Sequence, residues 1–400
     1  MNEPIQPLDD IRIIDLTHYV NGPYATMLLG YLGADVIKVE SPQWGDGIRS
    51  VYRQPGQKSG VPFALMNSNK RSITLNLKSD EGKEIFKRLV KKADVVVENY
   101  EAGTMDRMGL GYDVLKEINP RLIYASGTGY GQSGPNRNLP AFDPIIQAES
   151  GIMAVTGEAD GPPLKAGVVI VDVLGATHLC AGILAAIRHR DRTGKGVTVE
   201  ISMQEAALPT LAMQIGAYGM GIRQLREGNG SAGGVLAPYN TYPARDGWIT
   251  IMAAQPARFR RLCELMGQPE LADDPRYVKL AGRSKNRAEL DRAIAQWTMT
   301  MPRRQLMDLL AANDVLCGVV KELHEVMTEP HLFERGALRE IDHPQLGRMT
   351  IFNSPLRLGG APSAMKSPSP ALGADNERFY NEELGLSAAE VAALRDRKVI

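Results

Sequence analysis

Two aspartates are the side chains best placed for covalent or acid–base chemistry. Asp172 follows the β-branched run at 168–171 and precedes a helical pattern that begins at Leu174. We expect the run to form a strand, and the N–H groups at the start of the next helix to hold the carboxylate ionised. Such a carboxylate fits a helix cap, and it also fits a covalent nucleophile. Asp143, after Phe142 in a Gly- and Pro-rich loop, allows the same two interpretations.

Histidine and cysteine chemistry has few candidates in this chain. There are six histidines, and the three cysteines, Cys180, Cys263 and Cys317, lack the spacing of metal ligands or of a disulfide framework. No Walker motif, His–carboxylate metal motif or Gly-x-Ser-x-Gly elbow is present. We therefore predict no metal site and a reducing, cytoplasmic location. His18, in the loop after the first predicted strand, is interpreted as a surface or turn residue.

Basic residues that could bind a phosphorylated ligand are scattered through the first part of the chain. They are Arg71, Lys78 and Arg107. The chain has 46 basic and 46 acidic residues, so no overall field favours nucleic acid or an anionic membrane. A phosphorylated ligand would have to be bound by a few cations that converge on one rim.

A dinucleotide site is not supported, although the chain opens with a βαβ pattern and has Glu40 after its second predicted strand. The first turn, at 18–23, ends in Pro23 and lacks the glycines that let a backbone approach a pyrophosphate. The second glycine-containing segment, at 127–131, leads to Pro135 instead of a helix. We therefore predict that neither NAD nor FAD is bound.

The elements that must position these residues alternate between strands and helices. Strands are predicted at 11–16, 34–39, 72–77, 95–97 and 122–126, and helices at 24–32, from Ser79 onward and at 113–118. This alternation indicates an α/β fold with a parallel, Rossmann-like sheet. Ser79 is a predicted N-cap, and Ser387 with Glu390 fits a capping box before the last helix.

The chain length and a change of pattern predict two domains. Its 400 residues suffice for two or three. We predict a large Rossmann-like domain at 1–224, a smaller α+β domain at 225–330 and a return to the large domain at 331–400. No signal-peptide pattern is present, and no uninterrupted apolar run approaches the roughly 18 residues of a membrane helix.

Several segments closely resemble the family III CoA-transferases, also called the CaiB/BaiF family. They are DLTHYVNGPYATMLLGYLGADVIKVESPQWGD, NSNKRSITLNLKSDEGKEIF, ADVVVENYEAGTMDRMGLGYDVL, INPRLIYASGTGYGQSGP and GILAAIRHRDRTGKG. The resemblance covers essentially the whole chain. It implies a homodimer of interlocked chains, an acyl-CoA donor and a small carboxylic acid acceptor.

The resemblance assigns the nucleophile to Asp172. It implies that the carboxylate attacks an acyl-CoA thioester to give a mixed anhydride, and that the CoA thiolate then forms an aspartyl-CoA thioester. An unperturbed Asp has a pKa of about 3.9 and is ionised at pH 7, so no separate base is expected.

The resemblance also implies a set of CoA contacts. Arg107 is expected at the phosphate and adenosine end, and Phe142 and Met203 are expected beside the thioester. Ser41 stands where some members have a CoA-binding Arg. The implied contacts are Val20, Asn21, Leu75 to Lys78, Asn99, Tyr100, Arg107, Met108, Phe142 and Met203.

Other activities on the same fold are disfavoured. The α-methylacyl-CoA racemases have a histidine before the aspartate of the segment AFDPIIQ, where this chain has Phe142. Val20 replaces a Gln of the formyl-CoA transferases, and GSAGGVLAPY replaces their longer glycine run. Transfer between dicarboxylic acids such as succinate is favoured. A racemase is the first alternative, and a CoA-binding dimer without catalysis is the second.

Overall fold

The computed structural model describes residues 4–222, 226–231, 234–363 and 365–400, and the chain forms two compact units. Unit 1 contains Met1–Gln147, Val168–Leu208 and Glu329–Ile400, and unit 2 contains Ala148–Gly167 and Pro209–Thr328. The predicted boundaries differ, because unit 2 begins before 225 and takes in an earlier segment. Leu225, at the predicted start of the small domain, and 232–233 of its glycine loop lie outside the described residues.

The described elements include thirteen strands, short helices and several long ones. The strands are β1 Arg12–Asp15, β2 Asp35–Glu40, β3 Lys70–Thr74, β4 Val95–Glu98, β5 Ile123–Thr128, β6 Thr198–Ser202, β7 Tyr239–Ala244, β8 Gly247–Met252, β9 Leu316–Val319, β10 Leu338–His343, β11 Gly347–Phe352, β12 Arg357–Leu358 and β13 Ala361–Pro362. The α-helices are α1 Asn21–Tyr31, α2 Val61–Met66, α3 Asp80–Val90, α4 Thr104–Arg107, α5 Tyr112–Ile118, α6 Asp143–Glu149, α7 Ile152–Val155, α8 Ile170–Thr193, α9 Met203–Ala207, α10 Ala212–Gly219, α11 Pro256–Leu265, α12 Leu280–Lys285, α13 Arg287–Thr298, α14 Arg303–Ala312, α15 Leu323–Val326, α16 Pro330–Glu334, α17 Asn376–Arg378 and α18 Ala388–Asp396. The remaining helical turns are Gly47–Ser50, Leu208–Leu211, Pro269–Ala272 and Phe379–Glu383.

Unit 1 is built on a six-stranded sheet in the order β3-β2-β1-β4-β5-β6, and all its paired strands are parallel. This confirms the predicted α/β fold with a parallel sheet. The chain runs outward from β1 in one direction to β3 and then returns to β4 beside β1. The carboxyl ends of β1 and β4 therefore form a topological switch point, where open α/β sheets bind their ligands.

Both faces of this sheet are covered, because successive strand residues point to opposite sides. Ile13 belongs to a buried cluster that includes residues of α1 and α8, and Ile14 belongs to a second cluster that includes residues of α3 and α5. Phe379, Tyr380 and Ile400 also pack in the second cluster. Residues near the end of the chain therefore cover one face of the sheet whose first strand is β1.

Helix α8 crosses unit 1 and is long and apolar enough, by length and composition alone, to span a membrane. The sequence analysis did not predict such a segment. A core helix passes the same test, and Ala176, Leu179 and Ile183 of α8 are buried in the cluster that contains Ile13. Its apolar residues therefore serve the packing of the sheet.

Unit 2 contains the three-stranded antiparallel sheet β7-β8-β9. Strands β7 and β8 form a hairpin, in which Ala244 pairs with Gly247 across the Arg245–Asp246 turn. Side chains of α11, α13 and α14 fill its core, including Phe259, Leu290 and Leu306. Helices α9 and α10 are not continuous, because Pro209 cannot donate to a continuous helical ladder and the chain forms the short helical turn Leu208–Leu211 between them.

Candidate active site

A cavity of about 300 Å³ lies in unit 1 where the loops after β1, β4 and β5 meet. We call it the Asp172 cavity. Several of the predicted site residues line it together with residues that were not predicted. Its lining consists of His18, Tyr19, Val20, Asn21, Asn99, Tyr100, Glu101, Ala102, Gly127, Thr128, Gly129, Tyr130, Arg137, Leu139, Pro140, Ala141, Phe142, Asp172 and Met203.

Asp172 lies in the first turn of α8, not at the end of a strand. The predicted strand at 168–171 is wrong. Val168 and Val169 are exposed, and Val169 is the cap residue from which the helix begins. The β-branched run has no strand partner, and the N–H groups that follow it are bound by a side chain from another helix.

That side chain is Asp143, the first residue of α6. Its Oδ2 accepts hydrogen bonds from the backbone N–H of Val171 at 2.9 Å and of Asp172 at 3.3 Å. Gln147, one turn further along α6, donates from Nε2 to Oδ1 of the same carboxylate. Asp143 is 4% exposed and takes the role of an N-cap for α8 from a distant part of the sequence.

The carboxyl group of Asp172 is therefore not stabilised as the sequence analysis expected. Burial raises the pKa of Asp172 to about 7, and the charge of Asp143 acts in the same direction. The helix N–H groups that were expected to hold Asp172 ionised bind Asp143 instead.

Asn21, the first residue of α1, joins the loop after β1 to α8. Its Nδ2 donates to the backbone oxygen of Asp172 at 3.1 Å. Asn21 is 3% exposed, and its Oδ1 has no hydrogen-bond partner among the described residues. This contact requires a glycine at 175, because a Cβ there would lie 2.3 Å from Nδ2 of Asn21. The close approach of α1 and α8 therefore sets the position of the Asp172 backbone.

The loop before Asn21 is held by two polar side chains. Asn99 accepts from the His18 N–H at 2.8 Å and donates back to the His18 oxygen at 2.8 Å, which ties the loops after β1 and β4 together. Asp46 Oδ1 accepts from the N–H of Tyr19 at 3.0 Å. Tyr19 has a positive φ of 63°, a conformation that is unusual for a bulky residue and is maintained by this bond and its packing.

Beneath this loop lies a buried set of charges. Lys38 Nζ is 2.9 Å from Asp46 Oδ2, and Lys70 Nζ is 2.9 Å from Asp15 Oδ2. Burial alone would raise the pKa of Asp46, but Lys38 and a hydrogen bond with His18 outweigh it and hold the pKa well below its usual range. Burial lowers the pKa of Lys70 to about 8 against the opposing effect of Asp15. These pairs anchor the loop that lines the cavity.

A second cavity of about 510 Å³ adjoins the first, since His18 and Tyr100 line both. We call it the Lys78 cavity. The rings of His18 and Tyr100 are 5.6 Å apart, measured between centroids. The exposed side chains of Lys78 and Lys398 supply its positive charge. Its lining consists of His18, Val39, Glu40, Ser41, Pro42, Gln43, Trp44, Gly45, Leu75, Asn76, Leu77, Lys78, Tyr100, Thr104, Met108 and Lys398.

The structure thus brings most of the predicted site residues together, in two groups. The Asp172 cavity contains Val20, Asn21, Asn99, Tyr100, Phe142, Asp172 and Met203, and the Lys78 cavity contains Leu75, Lys78, Tyr100 and Met108.

Two predicted cations lie elsewhere. Arg107 lines neither cavity, and its guanidinium donates to Thr104 Oγ1 at 2.8 Å and to the Ala102 oxygen at 3.2 Å. Arg71 pairs with Asp35 and Glu383 at another edge of the sheet.

Several lining residues were not predicted from the sequence. His18 was interpreted as a surface or turn residue, and its place after the first strand was the available signal. Arg137 and Lys398 were not considered at all. Arg137 belongs to the loop between β5 and α6, and Lys398 lies near the end of the chain, so only the folded sheet brings them to the cavities.

No cluster of three or more His, Cys, Asp or Glu side chains that could hold a metal ion occurs within the described ranges.

Comparison with known proteins gives one consistent result. Residues 8–376 match the family model described as CoA-transferase family III. The chain is 37% identical over 398 residues to the succinyl-CoA–D-citramalate CoA-transferase of Chloroflexus aurantiacus, with 99% of each chain covered. It is 37% identical to the formyl-CoA:oxalate CoA-transferase of Streptomyces coelicolor, covering 98% of this chain and 99% of the relative.

Further relatives agree. The succinyl-CoA:mesaconate CoA-transferase of Haloarcula hispanica is 40% identical over 361 residues, which are 88% of this chain and 90% of the relative. The crystal structure of a CaiB/BaiF family protein from Brucella suis superposes with a TM-score of 0.85 at 34% identity, covering 95% of this chain and all of the other.

Proposed function

Since the chain belongs to the CoA-transferase family III, we propose that it moves CoA from an acyl-CoA donor to a carboxylic acid through covalent intermediates on Asp172. The observation that carries this proposal is the half-buried carboxylate of Asp172 in a cavity at the switch point of the sheet, next to a larger cavity with two lysines. That arrangement suits a thioester joined to a long, phosphorylated carrier.

The proposed reaction conserves one negative charge through four acyl transfers. The Asp172 carboxylate attacks the thioester carbonyl, its C–S bond breaks, and a mixed anhydride and the CoA thiolate form. The thiolate attacks the Asp172 carbonyl and releases the donor acid, leaving an aspartyl-CoA thioester. The acceptor carboxylate attacks that thioester to form a second anhydride and the thiolate. The thiolate then attacks the acceptor carbonyl, and the new acyl-CoA leaves with Asp172 as a free carboxylate.

The raised pKa of Asp172 has a direct role in this scheme. Only the ionised form is a nucleophile, so the raised pKa makes the first step depend on the loss of a proton from Asp172. The same burial leaves the ionised carboxylate poorly solvated, which makes attack on a thioester less costly than it would be for a hydrated carboxylate.

The two cavities divide the ligand between them in this proposal. The acyl group and the thioester occupy the Asp172 cavity, with Phe142 and Met203 in its lining. The carrier passes His18 and Tyr100, which line both cavities. Its phosphates meet Lys78 and Lys398 in the Lys78 cavity as point charges. Arg107 would join them only after leaving its bonds to Thr104 and Ala102.

We also propose that the chain forms a homodimer, and that the dimer is interlocked as the family resemblance implies. Helix α10 supports association because none of its residues is buried. Met213 and Tyr218 are 75% and 82% exposed, and Met220 follows them at 72%. An apolar helix of this kind is typical of a contact surface. Light scattering coupled to size-exclusion chromatography should give twice the mass of one chain, and one chain's mass would contradict the dimer.

A donor-by-acceptor screen tests the transferase activity. The purified protein is incubated with succinyl-CoA, formyl-CoA, acetyl-CoA or butyryl-CoA and a panel of mono- and dicarboxylic acids, and new CoA esters are detected by mass spectrometry. We expect transfer with at least one pair and its loss in Asp172→Asn. Asp396→Asn is the matched control, because Asp396 is exposed and lies outside both cavities. Hydrogen exchange at the α-carbon of an acyl-CoA without an acceptor acid would favour a racemase instead.

A further inference from the structure

Arg137 is an unassigned charged residue in the Asp172 cavity. Of the described residues that line this cavity, Arg137 is the one with a permanently positive side chain. Two carboxylates, Asp172 and Glu101, line it as well. Arg137 is exposed, and its guanidinium forms no ion pair with any carboxylate in the part of the chain that the structure describes. Its capacity for binding a carboxylate is therefore not used within the protein.

The loop that carries Arg137 is fixed to the site at its other end. Ala141 packs so closely on the backbone at 129 that a Cβ on Gly129 would lie 2.1 Å from the Ala141 Cβ. The ring of Phe142 packs edge-on against Tyr19, with centroids 5.5 Å apart. Asp143 then caps the helix that bears Asp172. Arg137 is thus six residues before the side chain that positions the Asp172 backbone.

The cavity is small as well as charged. Its volume of about 300 Å³ is at the lower end of the range of ligand pockets. A thioester end and a short acid suit a space of this size. A short dicarboxylic acid would present one carboxylate to the reacting centre and a second one to the cavity wall.

We infer that Arg137 binds the second carboxylate of a short dicarboxylic acid whose first carboxyl group exchanges CoA on Asp172. This inference rests on the proposed function and adds the substrate class and the residue that selects it. The planar guanidinium matches a carboxylate through two parallel hydrogen bonds. A monocarboxylic acid of the same length leaves Arg137 solvated and gains nothing from it.

Matched acids and variants test the inference. Succinate and butyrate have the same number of carbons and differ in the second carboxylate. Their kcat/KM values as acceptors are measured with acetyl-CoA as donor, for the wild type, Arg137→Gln, Arg137→Lys and Arg188→Gln. Arg188 is exposed on α8 and lines neither cavity, so it serves as the matched control. Binding of both acids to the CoA-saturated proteins is measured in parallel by calorimetry.

We expect the wild type to prefer succinate. Arg137→Gln should raise the KM for succinate by about 10- to 100-fold, the loss of a charge-assisted pair, and leave butyrate kinetics within about 2-fold. Arg137→Lys should recover part of the loss, and Arg188→Gln should match the wild type. An equal decrease in kcat/KM for succinate and butyrate in Arg137→Gln, or no preference for succinate in the wild type, would overturn the inference.

The calorimetric data separate this inference from the proposed function. If the wild type transfers CoA only between monocarboxylic acids, the proposed function stands and the assignment of Arg137 is wrong. If no transfer occurs with any acid, the proposed function fails, and the binding data still decide the role of Arg137. Succinate binding that is lost in Arg137→Gln would support it, and binding that is unchanged would refute it.

Discussion

The Asp143 carboxylate accepts the backbone N–H of Asp172 at 3.3 Å, so one carboxylate holds the helix that bears the other. This places a buried negative charge beside the proposed nucleophile and contributes to its raised pKa. Asp143 therefore positions the Asp172 backbone, and its charge also disfavours the ionised form of Asp172. This second effect is measurable, because it raises the pH at which Asp172 becomes a nucleophile.

The pH dependence of the first acyl transfer should therefore report the ionisation of Asp172. We expect kcat/KM for the acyl-CoA donor to rise with pH through about 7 and to level off above it, because the protonated carboxyl is not a nucleophile. Asp143→Asn removes the like charge and keeps an oxygen acceptor for the N–H groups of α8. Its acidic limb should move to lower pH by about 0.5 to 1 unit.

In Asp143→Asn the acidic limb of the kcat/KM profile should still lie at a higher pH than the ordinary pKa range of Asp, because burial is the larger cause of the raised pKa. A limb that stays in place or moves to higher pH would show that Asp143 does not act through its charge. Asp143→Ala is the structural control. It removes the cap as well, and should cost about 1 to 2 kcal/mol of stability.

Gly175 should be intolerant of a side chain because of Asn21. Gly175→Ala places a methyl group against Asn21 Nδ2, and should displace Asn21 from the Asp172 oxygen. We expect a lower melting temperature and a kcat reduced by at least about 10-fold, since the loop and the nucleophile move apart. The melting temperature of the double variant Asn21→Ala/Gly175→Ala should decrease by less than the sum of the decreases in the two single variants. Additive losses would mean that the methyl group clashes with something other than Asn21.

Glu98 should make the folded protein less stable as the pH rises. Burial raises the pKa of Glu98 from its ordinary value of 4.5 to about 7. The folded chain therefore binds the proton of the Glu98 carboxyl group more tightly than the unfolded chain does. The stability that this protonation confers below pH 4.5 is lost as the pH rises to about 7. A difference of this size corresponds to at most about 3 kcal/mol.

Glu98→Gln removes this ionisation and keeps an acceptor for the Tyr100 N–H, which Glu98 Oε2 binds at 2.7 Å. We expect the variant to melt at a higher temperature than the wild type at pH 8.5, and the difference in melting temperature to be smaller at pH 5.5, where only part of the stability of the wild type has been lost. A variant that is destabilised more at pH 8.5 than at pH 5.5 would indicate that the ionised carboxylate is needed for folding.

The local features of the fold could be predicted because neighbouring residues determine them. Ser79 caps α3 by accepting from the Gly82 N–H, and Ser387 forms a capping box with Glu390, as predicted. The strands of the parallel sheet also followed from their β-branched runs. The start of α8 did not, because the group that caps it is Asp143, 29 residues earlier in the chain.

The candidate site could be predicted only in part, for the same reason. Asp172 was singled out from its place after a β-branched run, the family resemblance assigned its role and added Asn21, and both residues line the cavity. The pKa of Asp172 could not be foreseen, because it depends on burial and on a carboxylate from another helix. Arg107 was expected at the ligand, but Thr104 and Ala102 in its own turn bind its guanidinium.

Covalent acylation of Asp172 can be measured by chemical trapping. The protein is mixed with a donor acyl-CoA that supports transfer and quenched with hydroxylamine or borohydride, and its peptides are analysed by mass spectrometry. We expect a hydroxamate or a reduced side chain at Asp172 in the wild type and in Asp396→Asn, and neither product in Asp172→Asn, which should also have lost CoA transfer. Transfer that persists in Asp172→Asn, or a label on another residue during turnover, would contradict it.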